Sequence, residues 1–139
     1  MNAVVIYESL TGNTHKAATL IAKELQASGV TAVACPITAI NFQALSDADL
    51  LIVGSWTDGF VIAGQRPGRA HRLQAMPAID GKRTLVFCTY AINAGKTLDK
   101  MTKILEGKGA NVIGGMTIRR QDLEGGAKEF VSRLVDAVV

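Results

Sequence analysis

Short apolar runs alternate five times with stretches of helical spacing along this 139-residue chain. Val4-Val5-Ile6-Tyr7 reads as the first strand. Asn13 to Ser28 follows, with Ala17, Ile21 and Leu25 on one face and Lys16, Lys23 and Glu24 elsewhere. That is an amphipathic helix closed by Gly29. Thr31 to Cys35 is the second strand, and a short irregular helix is expected over Ala39 to Leu45. Leu50 to Gly54 is apolar on both faces, as a central parallel strand should be. A Gly-rich loop is expected from Ser55 to Gln65, then a helix over Pro67 to Met76 with the proline in its first turn. Thr84 to Cys88, Gly95 to Glu106, Ala110 to Ile118 and Leu123 to Val139 complete the alternation as strand, helix, strand and helix.

Such alternation implies parallel strands joined by right-handed crossovers. The expected fold class is α/β in three layers, with a five-stranded parallel sheet in the order 2-1-3-4-5 and helices on both faces. Residues 1–139 are expected to form one domain, a size that fits the length. In such a sheet a ligand lies beyond the carboxyl ends of strands 1 and 3, where the order reverses. The loops after Tyr7, Gly54 and Cys88 are therefore expected to meet.

Composition excludes several classes. A 48% hydrophobic and 19% charged content supports a buried core and argues against disorder. No apolar run reaches the ~18 residues that a bilayer demands, so no transmembrane segment is expected. The N-terminus reads as a strand rather than a secretion signal. Cys35 and Cys88 show no CxxC or metal spacing and read as reduced core thiols, which points to a cytoplasmic setting. A net charge of +3 is too weak to imply nucleic-acid binding. The charge is uneven, however: Arg66, Arg69, Arg72, Lys82 and Arg83 stand against one acid, Asp80, between residues 66 and 83.

The loop after strand 1 reads Ser9-Leu10-Thr11-Gly12-Asn13-Thr14 and opens a helix. The first N–H groups of a helix lack internal partners and carry the positive end of its dipole, which makes an anion site. Gly12 permits close backbone approach, and Ser9, Thr11 and Thr14 are neutral donors for a phosphate. One of these residues would suffice for capping and a turn; three hydroxyls with a glycine exceed that need. The chain lacks a Walker A loop: Ala94-Gly95-Lys96-Thr97 resembles its tail, but Tyr90 stands where the first glycine belongs. A receiver domain is excluded too, because strand 3 ends on Gly54-Ser55 rather than an aspartate.

The run SLTGNT resembles the phosphate loop of flavodoxins, Ser/Thr-x-Thr-Gly-x-Thr, at every fixed position, and the likeness extends over essentially the whole chain. The ending GANVIGGMTI followed by a last helix is similar to the short-chain members. The resemblance implies a flavodoxin-like fold and a bound flavin mononucleotide (FMN), its phosphate on Ser9, Leu10, Thr11, Gly12, Asn13 and Thr14. It implies a ring-facing loop at Ser55, Trp56, Thr57, Asp58 and Gly59, with Trp56, the sole tryptophan, either stacked on the flat ligand or covering the sheet end. It implies a second loop at Thr89, Tyr90, Ala91, Asn93 and Gly95 that contacts the ring mainly through backbone groups. Tyr90 is either a flavin contact or a packed strand-end residue.

Three departures from the family stand out. Thr57 follows the stacking aromatic, where Gly or Asn is common, and β-branched residues resist φ > 0. Arg119 and Arg120 follow strand 5, where acids are usual, and His15 and Lys16 flank the phosphate loop. The overall charge is basic rather than acidic. The expected function is electron transfer between a reductase and a redox partner, with no catalytic side chain and no metal. The partner is expected to be acidic and to dock on Arg66, Arg69, Arg72 and Arg83. The alternatives are an FMN-dependent oxidoreductase acting on a quinone, NAD(P)H or a tetrapyrrole, in the manner of protoporphyrinogen oxidases, and a binding module without flavin.

Overall fold

The computed structural model describes residues 1–59 and 64–138. The elements run β1 (Asn2–Tyr7), α1 (Asn13–Ala27), β2 (Thr31–Pro36), α2 (Phe42–Asp47), β3 (Leu50–Asp58), β4 (Arg66–Pro67), α3 (Ala70–Gln74), β5 (Arg83–Tyr90), α4 (Thr97–Gly107), β6 (Asn111–Arg119) and α5 (Leu123–Val138). Single 3-10 turns occupy Ile37–Ala39 and Arg120–Asp122. Five strands pair in parallel in the order β2-β1-β3-β5-β6. This is the expected 2-1-3-4-5 sheet, with β4 as an addition.

The central strands are apolar on both faces because both faces are covered. Val5, Ile52 and Phe87 pack under α1 and α5 with Ile21, Leu25 and Phe130. Val4, Ile6, Leu51, Val53 and Val86 pack under α2, α3 and α4 with Leu73, Met101 and Leu105. Each fully buried Ile or Leu contributes about 1.5–3 kcal/mol relative to exposure, so the two cores anchor the sheet from both faces. Gly54 is required for this packing. A Cβ there would lie 2.0 Å from Phe87 Cζ, so the ring uses the space above the glycine.

Three sequence expectations are corrected. The stretch from Ser55 does not leave the sheet as a loop: β3 continues to Asp58 and carries an antiparallel ribbon with β4, Thr57 opposite Pro67 and Asp58 opposite Arg66. Pro67 thus lies in a strand rather than in the first turn of a helix; without an N–H it suits the edge of a two-stranded ribbon. The helix expected from Pro67 to Met76 shrinks to Ala70–Gln74, because Arg69 takes a left-handed conformation (φ 48°) that breaks the helical run before it. The helix expected over Ala39 to Leu45 begins at Phe42, where Asn41 Oδ1 accepts from the Ala44 N–H at 2.9 Å. Of the expected Gly-rich loop, residues 60–63 lie outside the described residues, as does Val139 at the end of the last helix.

Candidate functional site

The loop between β1 and α1 is a left-handed turn at Gly12 (φ 98°), from which α1 starts. The Ser9 hydroxyl accepts from the Gly12 N–H at 3.2 Å, and Asn13 donates to Thr11 Oγ1 at 3.3 Å, so the loop is braced from within. Thr11 and Gly12 are exposed, and Ser9 and Asn13 are half-buried. Thr14 is buried, and its hydroxyl lies 2.9 Å from that of Thr89 at the end of β5. No basic side chain belongs to the loop itself. Its donors are hydroxyls, one amide and the first N–H groups of a 15-residue helix.

The extension of β3 supplies the second wall. Trp56 pairs with Thr89 in the parallel sheet and accepts from the Gly68 N–H through its carbonyl at 2.7 Å. Its indole lies directly on Gly68, where a Cβ would be 2.0 Å from Cε2. Trp56 Nε1 and Thr57 Oγ1 are buried atoms without a hydrogen-bond partner among the described residues. Such orphans are rare in native proteins and call for an explanation.

These elements converge on a cleft of about 240 Å³. Ser9, Leu10, Thr11, Asn13 and Thr14 line it from the first loop, Trp56 and Thr57 from β3, and Thr89, Tyr90 and Ala91 from the end of β5. Arg120 completes the lining, and among the described residues no carboxylate pairs with it. Among the described residues, the lining contains no carboxylate, imidazole or thiol. Tyr90 also packs on the core beneath α4, as its reading as a packed strand-end residue expects.

Other sequence candidates fall outside this lining. Ser55 is fully buried and donates to the Gly68 carbonyl at 3.1 Å, which ties β3 to the chain leading into α3. Asp58 pairs with Arg66 at 3.3 Å on the ribbon. Gly59 follows the ribbon with φ 96°. Asn93 Oδ1 accepts from the Gly95 N–H at 2.7 Å, a local turn. Gly95, at φ 54°, lies against Gln65, whose Oε1 would be 2.2 Å from a Cβ. His15 stacks on Tyr7 (ring centroids 4.9 Å apart, planes 8° apart) and lines a separate hollow across the loop with Arg72.

Three of the four arginines expected to form the basic docking face carry carboxylate partners. Arg69 and Arg72 both bind Glu8, at 2.7 and 2.9 Å, and Glu8 is only 2% exposed. Their charge is committed to a carboxylate that burial would otherwise leave stranded. Arg66 is paired with Asp58. Arg83 begins β5, whereas the cleft lies at that strand's other end, roughly 23 Å away at 3.3 Å per residue. Glu8 and Gly68 are structural participants that the sequence reading missed. A carboxylate closing an apolar strand was a visible signal for Glu8; Gly68 had none.

Both cysteines are buried and free. Burial pushes the Cys88 thiol up to about 11, offset slightly by the neighbouring Thr57 hydroxyl, which makes no hydrogen bond of good geometry. No group of three metal-ligating side chains occurs among the described residues. No described helix is long and apolar enough to cross a membrane.

Comparison with known proteins places this geometry in context. The family model for the flavodoxin domain matches residues 4–123. A flavodoxin of Clostridium beijerinckii is 28% identical over 109 residues, covering 78% of this chain and 79% of that protein. Oxidised flavodoxin 1 from Bacillus cereus superposes with a TM-score of 0.70 at 21% identity, each chain covered in full. A short-chain flavodoxin associated with a non-canonical PDU bacterial microcompartment gives 0.72 at 22% identity, again over both full chains.

Proposed function

Given that this chain belongs to the flavodoxin family, whose function is electron transfer and whose cofactor is FMN, we propose that the cleft between the β1–α1 loop, Trp56 and the end of β5 holds FMN. The residues present fit that group. Neutral donors at the start of α1 suit a phosphate. Trp56 and Thr57 line the same cleft from β3. Ser9, Thr11, Asn13 and Thr14 hold the phosphate in this reading, Trp56 faces the ring, and Thr89, Tyr90 and Ala91 border its polar edge.

Bound FMN supplies the electron-transfer chemistry. The chain's own residues bind it, orient it and set the local charge. A carrier moving electrons between a reductase and a redox partner is the reading that family membership favours, and an enzyme acting on a small substrate is the alternative. We place partner docking at the mouth of the cleft rather than on Arg69 and Arg72. Leu10 (53% exposed) and Ile92 (92% exposed) stand on the two loops that border that mouth.

The carrying observation is the convergence of three separate chain segments on one cleft that opens at a helix start with surplus neutral donors. Purification without added flavin, a visible spectrum, and titration of FMN against Trp56 fluorescence test it. Flavin bands near ~370 and ~450 nm, or quenching that saturates at one FMN per chain, are expected. Absence of binding at micromolar FMN would refute the site. Turnover of NAD(P)H or a quinone by the pure protein would replace the carrier reading with the enzyme reading.

A further inference from the structure

We infer that Glu8 is a positioning residue that couples the two walls of the cleft, through a path from the phosphate loop to the indole of Trp56. Glu8 directly precedes Ser9, the first residue of the loop. Its carboxylate, 2% exposed, is bound by Arg69 at 2.7 Å and by Arg72 through two contacts of 2.9 Å. Arg69 in turn directly follows Gly68, the residue on which the indole lies. The backbone closes the same circuit: the Glu8 N–H donates to the Gly54 carbonyl at 2.9 Å, and the Gly68 N–H donates to the Trp56 carbonyl at 2.7 Å.

Two features set this circuit apart from an ordinary ion pair. Arg69 is the one non-glycine residue with positive φ among the described residues, a conformation that costs an L-residue energy and persists only where the surroundings impose it. Removing one partner of a buried pair leaves a stranded charge, so the arginines and Glu8 hold one another in a single arrangement. A phosphate that pulls on the loop therefore also pulls on the ribbon carrying Trp56.

The inference rests on the FMN reading and goes beyond it by assigning the link between the sites for the two ends of the ligand. The probes are inorganic phosphate for the loop and riboflavin, which lacks the phosphate, for the ring wall. In the wild-type apoprotein, saturating phosphate is expected to tighten riboflavin binding several-fold and to shift Trp56 emission. Arg69→Gly removes the guanidinium at a position where glycine is comfortable and leaves Glu8 paired with Arg72, so the fold is kept. Its coupling factor is expected to fall to about one while its urea midpoint holds. Arg69→Lys is expected to restore part of the coupling.

Glu8→Gln separates positioning from charge. Loss of the carboxylate leaves both arginines unneutralised beside the loop, which by electrostatics alone tightens phosphate binding; loss of positioning weakens it. Weaker phosphate and weaker coupling are expected. Tighter phosphate binding in Glu8→Gln, undiminished coupling in Arg69→Gly, or no coupling in the wild type each overturns the inference. FMN binding to the wild type is measured alongside. If FMN binds and coupling is absent, only the inference falls. If FMN does not bind, the FMN reading falls and takes the inference with it.

Discussion

The hydroxyls of Thr14 and Thr89 meet at 2.9 Å in a buried position, joining the first turn of α1 to the end of β5. Seventy-five residues separate them in sequence, yet each helps to line the cleft. The pair fixes the loop start relative to the sheet. Thr14→Val or Thr89→Val alone leaves one buried hydroxyl unpaired, and a loss of about 1–3 kcal/mol in urea denaturation is expected for either. The double change removes both polar groups with little change in shape and is expected to cost less than the sum of the two. Strict additivity would show that the two hydroxyls do not depend on each other.

Gly68 carries the indole of Trp56 because it has no Cβ. Gly68→Ala places a methyl group 2.0 Å from Cε2 and must displace the ring. We expect a shifted Trp56 emission maximum, at least tenfold weaker FMN binding and a stability loss of about 1–3 kcal/mol from overpacking. Unchanged emission would mean that the indole does not rest there in solution.

Among the described residues, Arg120 is the one charged residue lining the cleft. A unit charge separated by ~10 Å from an added electron changes its energy by roughly 0.4–1.7 kcal/mol for ε from ~80 to ~20, or roughly 20–70 mV. Arg120→Ala is expected to lower the midpoint potential of the FMN-loaded protein by an amount in that range, and Arg120→Glu to lower it further. The effect should shrink at high salt, because Arg120 is exposed. Equal potentials for wild type and Arg120→Glu would show that the side chain is screened throughout.

Cys88 titrates well above its unfolded value of 9.0, at about 11, because burial penalises the thiolate. The folded protein therefore holds a proton that the unfolded chain releases between those two values. That contribution to stability is full below pH 9 and is lost as pH rises toward about 11, with a limiting slope of ~1.4 kcal/mol per pH unit. Denaturation curves between pH 8 and about 11 should show this slope in the wild type and a shallower one in Cys88→Ala. Parallel curves would remove Cys88 as its source.

Much of this arrangement is legible in the sequence, for reasons visible in particular residues. Val4 to Tyr7 and Leu50 to Gly54 announce central parallel strands because both of their faces meet core. The SLTGNT run announces a helix start with surplus donors. The ribbon of β3 and β4 could not be read that way. Thr57 and Asp58 carry no apolar alternation, and their pairing with Pro67 and Arg66 depends on tertiary contact rather than on local preference. The fate of the arginines was hidden for the same reason. Charge counted along a chain says nothing about partners, and Glu8 lies 61 positions from Arg69. Ser55 shows a limit of another kind. It occupies an expected ligand-facing position, but its hydroxyl is spent on the Gly68 carbonyl in a fully buried place, while Trp56 and Thr57 line the cleft.

The donors of the β1–α1 loop are uncharged, and the chain's buried carboxylate beside it is already matched by two arginines. Arg120 is then the one charged side chain in the cleft lining among the described residues, and the two cores lie below the cleft. Cofactor-free protein is therefore expected to fold, with FMN adding to its stability by mass action, and thermal unfolding with and without FMN checks this.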